Sequence, residues 1–143
     1  MSSKTGKFMV AVGAIIENES TGKILLLKRS PRADFSADIW EYITGRMNQF
    51  EEPELALRRE IMEEAGIEVE IVKPISTYHI FRGEQVAENE VIGIMYWCKT
   101  KSEIVKISDE HSDYKWVTID EAFEMVPKPS MQADLRAYLR EKK

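Results

Sequence analysis

A chain of 143 residues, 43% apolar and 31% charged, has the size and balance of one globular domain. That balance excludes a disordered tail, a collagen or a coiled coil as the whole molecule. Lys and Arg number 20 against 25 Asp and Glu, a net charge of -5, so no overall positive field draws in nucleic acid or an anionic membrane.

A small phosphorylated ligand stays open if a metal supplies the positive charge. The single cysteine, Cys98, excludes an intrachain disulfide and a cysteine-held zinc, and fits a cytoplasmic location.

The longest apolar run, Phe8 to Ile16, has nine residues, short of the roughly 20 that span a bilayer. It follows Lys4 and Lys7 but leads into Glu17-Asn18-Glu19 rather than a small-residue cleavage site. A buried first strand over 8–17 is therefore expected in place of a signal peptide. Ser20-Thr21-Gly22 marks a turn into a second strand over 23–29, giving a hairpin. Residues 30–38 read as a loop, and 40–44 as a short strand ending at Gly45.

A helix is expected over 54–65. Pro53 suits its first turn, and Gly66 suits the left-handed position past its end. Strands are expected over 67–72, 75–81, 91–99 and 114–117, with a polar loop over 82–89. Thr118-Ile119-Asp120-Glu121 is a capping-box pattern opening a helix. Met131, Leu135, Tyr138 and Leu139 share one face of a last helix. Strands with three helices spread among them predict an α/β fold, a mixed sheet covered by helices on both faces.

On the 54–65 helix, at about 100° per residue, Glu60, Glu63 and Glu64 fall within an arc of about 100°. Beside them lies an apolar side of Leu55, Leu57, Ile61, Met62 and Ala65. Neighbouring carboxylates repel by a few tenths of a kcal/mol per pair, roughly, on an exposed helix. Arg59, spaced i,i+4 from Glu63, offsets part of that. A hard divalent cation would offset more, because Mg2+ takes oxygen ligands and keeps several waters. Taken by spacing alone, the stripe equally suits a solvated helix face.

The surrounding segment is more specific. It runs Gly45, five residues, Glu51, seven residues, Arg59-Glu60, Ile61, one residue, Glu63-Glu64, one residue, Gly66-Ile67. This resembles the Nudix box at every fixed position. The resemblance implies a single domain over 1–143 with the Nudix α/β/α sandwich, the box forming a loop–helix–loop. It implies hydrolysis of a diphosphate linkage by water attacking phosphorus. Glu60, Glu63 and Glu64 would ligate Mg2+ or Mn2+ with help from the Gly45 carbonyl. Glu51 and Arg59 would orient those ligands. The general base would be Glu64 within the box or Glu110 outside it.

Arg29 and Arg46 are the cations expected at the substrate, Arg29 being equally a strand-end surface charge. Trp40, Tyr78 and Phe81 are candidates either for stacking on a base or for the core. His111 reads as a packing residue. The expected partner is a small nucleotide or triphosphate, without nucleic acid or membrane. Family members are often homodimers, though no segment here reads as an interface.

The box opens Thr44-Gly45-Arg46 where many relatives have Pro-Gly-Gly. With Glu110-His111 and Tyr114-Lys115-Trp116 later, it resembles dihydroneopterin-triphosphate pyrophosphohydrolases. Phe81 stands where ADP-ribose relatives tend to have Pro, and Arg82-Gly83-Glu84 where diadenosine-polyphosphate relatives tend to have Tyr. A nucleoside triphosphate or related triphosphate is thus the expected substrate. The remaining alternatives are the pterin triphosphate, a nucleotide-binding module without turnover, and RNA 5′-end processing, which the acidic charge disfavours although Arg136, Arg140, Lys142 and Lys143 make a small basic C-terminal face.

Overall fold

The computed structural model describes residues 5–143; Lys4, weighed above as part of a leader, lies outside them. The strands are β1 (Met9–Asn18), β2 (Ile24–Arg29), β3 (Trp40–Glu41), β4 (Ile43–Arg46), β5 (Glu70–Phe81), β6 (Glu90–Thr100) and β7 (His111–Val117). The helices are α1 (Pro53–Ala65), α2 (Ile119–Met125) and α3 (Pro129–Lys142), with one 3-10 turn at Ala87–Asn89. Among the described residues no helix is long and apolar enough to cross a membrane.

The strands form one mixed sheet in the order β3-β2-β1-β6-β5, with β4 pairing β1 and β7 pairing β2. One edge of β1 runs parallel to β6 from Met9↔Val91 to Asn18↔Thr100. Its other edge is shared. Ala11 to Ala14 pair with β4, and Glu17 pairs with Ile24 of β2. The expected hairpin therefore forms at its turn, where Asn18 Oδ1 accepts from Ser20 N–H at 2.9 Å. Farther from the turn β4 replaces β2 as the partner of β1.

Why β1 and β2 read as continuous apolar runs follows from the layers. Side chains alternate across a strand, and here both faces are buried. Val12, Ala14, Ile16, Leu25 and Leu27 pack under α1 with Leu57, Ile61 and Ala65. Ile15, Ile24 and Leu26 pack on the other face with Leu135 and Tyr138 of α3. Helices on both faces are as the element pattern predicts. Leu55 and Met62, read as part of the apolar side of α1, are instead 62% and 47% exposed. The core under α1 is accordingly narrower than the sequence stripe.

Strand boundaries also differ, β7 opening at His111 rather than at the expected 114. The two strands expected over 67–72 and 75–81 are one strand, β5, which opens only at Glu70 and whose register shifts at Ile71/Lys73 and Pro74/Ser76. Pro74, in register with Tyr96 between the two shifts, is accommodated because β5 is an edge strand with a partner on one side only. The 40–44 segment splits at Tyr42 into β3 and β4, which join different partners.

Candidate active site

β4 delivers Gly45 to the floor of an open cleft of about 1870 Å³. The loop after it is set by local chemistry. Phe50 takes a left-handed φ of 68°, Glu51 N–H donates to Asn48 O at 3.1 Å, and Asn48 N–H donates to Glu51 Oε1 at 2.9 Å. This turn presents Glu51 to α1. Pro53 then opens the helix, and Gly66 closes it in the left-handed region at φ 65°.

Arg59 is the hub. Its Nε and Nη2 donate to Glu51 at 2.7 and 2.9 Å, its Nη1 to Glu60 Oε1 at 2.7 Å, and its Nη2 also to Arg46 O at 3.1 Å. The guanidinium holds the Glu51 carboxyl down at about 2, helped by the Asn48 amide. A planar fork of donors can tie a loop carboxylate and a helix carboxylate together in fixed geometry. Arg59 thus orients Glu60.

Glu60 fills the space left by the missing Gly45 side chain: a Cβ on residue 45 would overlap the Glu60 carboxyl. Burial raises the Glu60 carboxyl above its ordinary value, against the pull of Arg59. Glu64 is only 5% exposed, and its Oε2 has no hydrogen-bond partner. Burial, the adjoining Glu110 carboxyl and the charges of Glu60 and Glu41 push it up to about 10. Glu60, Glu64 and Glu110 line the cleft with Gly45 and Arg46.

Glu63 does not line the cleft. It is the most open of the three box carboxylates and lies 3.4 Å from Arg59. Among the described residues no three acidic, His or Cys side chains stand close enough to form a ready cation cage. The donor chemistry nonetheless fits a hard divalent ion: the donors are oxygens, one is buried and unpartnered, and a glycine leaves room beside another.

Arg29, Arg32, Arg82 and Lys128 also line the cleft, together with Asp34, Glu41 and Asp109. Arg29 Nη1 donates to Glu41 Oε2 at 3.2 Å and its Nε to Phe35 O at 2.9 Å. His111 Nε2 meets the same Glu41 oxygen at 2.9 Å, so His111 is a packing residue that fixes a wall carboxylate. Lys128 caps the Phe35 ring at 4.7 Å and donates to Ser36 Oγ at 2.6 Å.

Of the aromatic candidates, Tyr78 and Phe81 line the cleft. Trp40 does not: it packs on the α3 side of the sheet with Lys115 over its ring at 5.3 Å. The sequence reading missed Glu41, Lys128 and Asp134 as cleft residues. Only Asp134 carried a signal, being a charged residue at helical spacing from Met131 and Tyr138.

A family profile described as the NUDIX domain matches residues 7–141. The chain is 28% identical over 133 residues to the CTP pyrophosphohydrolase of Escherichia coli, covering 93% of each. It is 23% identical over 144 residues to the dihydroneopterin triphosphate diphosphatase of Haemophilus influenzae, covering 90% of this chain and 86% of that one. The crystal structure of the MutT protein from Methanosarcina mazei superposes with a TM-score of 0.79 at 28% identity, covering 99% of this chain and 100% of that one. Nudix hydrolases generally use divalent metal ions, which is what the oxygen-rich end of the cleft suits. The chain belongs to the Nudix family and is a hydrolase of phosphorus-containing acid anhydrides.

Proposed function

We propose that this enzyme is a Mg2+-dependent pyrophosphohydrolase that cleaves a nucleoside triphosphate or a related triphosphate into a monophosphate and pyrophosphate. The observation that carries the reading is the Glu64 carboxyl: buried, unpartnered at Oε2, and crowded by Glu60 and Glu110 in a cleft that Arg29, Arg32, Arg82 and Lys128 also line. A dry carboxylate is costly unless something positive meets it.

Glu60, Glu64 and the Gly45 carbonyl would hold Mg2+ or Mn2+, and Glu63 would join them by leaving Arg59. The ion would neutralise phosphate oxygens and make water more acidic. Arg59 and Glu51 keep Glu60 in place. Glu110, solvent-facing on its loop yet against Glu64, is the proposed proton acceptor for the attacking water. Arg29, Arg46 and the other cations of the cleft would bind the rest of the phosphate chain, giving charge-assisted contacts that fix its direction. The similarity to a CTP pyrophosphohydrolase supports a nucleotide. The similarity to a dihydroneopterin triphosphate diphosphatase keeps the pterin triphosphate as the second reading.

The test is a product-release screen, reading pyrophosphate from canonical nucleoside triphosphates and pterin triphosphate and nucleoside monophosphate from nucleotide sugars and dinucleotides, each with Mg2+ and with EDTA. Release from a triphosphate only with metal supports the proposal. Release from a dinucleotide or nucleotide sugar alone, or release in EDTA, contradicts it.

A further inference from the structure

The cleft continues past the carboxylates to a second polar group that the proposed hydrolysis does not use. Asp134 lies on α3, is 6% exposed, and lines the cleft. Its Oδ1 accepts from Ser76 Oγ at 2.8 Å. Its Oδ2 has no donor among the described residues, yet is not sealed from the cavity. Burial pushes the carboxyl up to about 6, against the Ser76 hydrogen bond, so at neutral pH it is mostly an acceptor short of a donor.

Tyr78 stands beside it. Ser76, Tyr78 and Ile80 alternate onto one face of β5, and Tyr78 pairs across the ladder with Gly93, where any Cβ would overlap the ring. Gly93 thus lets the Tyr78 ring lie against β6. Burial and then the charge of Asp134 push the Tyr78 hydroxyl up to about 12, so it stays protonated and can donate. No protein partner takes that proton among the hydrogen bonds of the described residues. Val91, Met95, Ile80 and Met131 supply apolar walls to the same part of the cleft.

The geometry points to Asp134 and Tyr78 as a site that reads the edge of a planar heterocycle carrying an exocyclic amino group, Asp134 accepting from the amine and Tyr78 donating to the ring nitrogen or carbonyl beside it. This rests on the proposed nucleotide reading and goes beyond it by naming the base class. A heterocycle with a carbonyl in place of the amine would set two acceptors against each other and leave Asp134 unpaired. Sites of this kind discriminate by at least about tenfold.

The experiment is calorimetric binding of two near-isosteric pairs, CMP with UMP and GMP with IMP, to the full chain in EDTA, so that no turnover or metal enters. The amino member of at least one pair should bind at least about tenfold tighter, and Asp134→Asn should cut that ratio below about threefold, because an amide can accept or donate. Ser76→Ala, which leaves the carboxylate present, should keep the ratio. Equal affinities within both pairs, no binding of any of the four, or an equal loss of discrimination in the two variants overturns the assignment. Pyrophosphate release by the wild-type enzyme with Mg2+ is scored separately, so failure of the base site and failure of the hydrolase reading are told apart.

Discussion

Gly45 and Glu60 occupy one space. The glycine α-carbon faces the glutamate so closely that a methyl at residue 45 would overlap the carboxyl group. Because that carboxyl ends a flexible side chain, Gly45→Ala should fold, with a stability loss of no more than about 1–3 kcal/mol. Glu60 must move, however, so metal-supported turnover should fall by about 10–100-fold. Pyrophosphate release and a melting curve on the same preparation check this; normal turnover would show that the position of Glu60 does not matter.

Arg59→Lys keeps the charge and loses the fork. A single ammonium cannot hold Glu51, Glu60 and the Arg46 carbonyl together. The expected result is about 10–100-fold weaker half-saturation by Mg2+, read from turnover against metal concentration. An unchanged metal dependence would count against Arg59 as the positioning group.

The metal-free protein should lose stability as pH rises. Glu64 ionises near 4.5 unfolded and at about 10 folded, so between these values the folded state holds the extra proton and unfolding becomes easier with each step up. Glu60, raised in the same direction, adds to the slope, and Asp134, moved from 3.8 to about 6, adds below neutrality. From pH 6.5 to 9 the Glu64 proton alone should contribute a slope of about 1.4 kcal/mol per pH unit. Urea midpoints in EDTA measure it. The slope should flatten in Glu64→Gln, and Mg2+ should stabilise wild type more at pH 9 than at pH 6.5. A rising or flat wild-type profile would refute the buried-carboxyl account.

Glu41 joins Arg29 and His111 on one oxygen, at side-chain exposures of 9%, 20% and 1% respectively. Glu41→Gln leaves a guanidinium and an imidazole facing a neutral amide. Breaking such a buried pair costs about 3 kcal/mol, a fall of roughly 10 °C in melting temperature. Calorimetry decides it, and an unchanged melting temperature would mean the three groups are not coupled.

Local chemistry was legible in the sequence, and distant convergence was not. Pro53 and Gly66 bound α1 where their backbone preferences place them. Thr118 and Glu121 form the capping box that their spacing predicts. The box residues Glu51, Arg59 and Glu60 meet because two short elements bring them together. Glu41 and His111 are 70 residues apart in sequence, and Ser76 and Asp134 are 58 apart. No periodicity within one helix or strand encodes those contacts. Trp40 stayed open between base and core for a related reason: an aromatic in a short strand can face either layer, and only the pairing of β3 with β2 decides which. Glu63 shows the reverse limit, since helical spacing groups it with Glu60 and Glu64 while Arg59 holds it at the rim.

Whether the buried carboxylates hold a divalent cation on which anhydride cleavage depends is measured most directly by pyrophosphate release from a triphosphate by wild type and Glu64→Gln, each with Mg2+ or EDTA, alongside a melting curve. Wild type with Mg2+ alone should turn over rapidly, EDTA should abolish release, and folded Glu64→Gln should be slower on the order of a thousandfold. Comparable rates in EDTA, or in Glu64→Gln with Mg2+, would contradict that dependence.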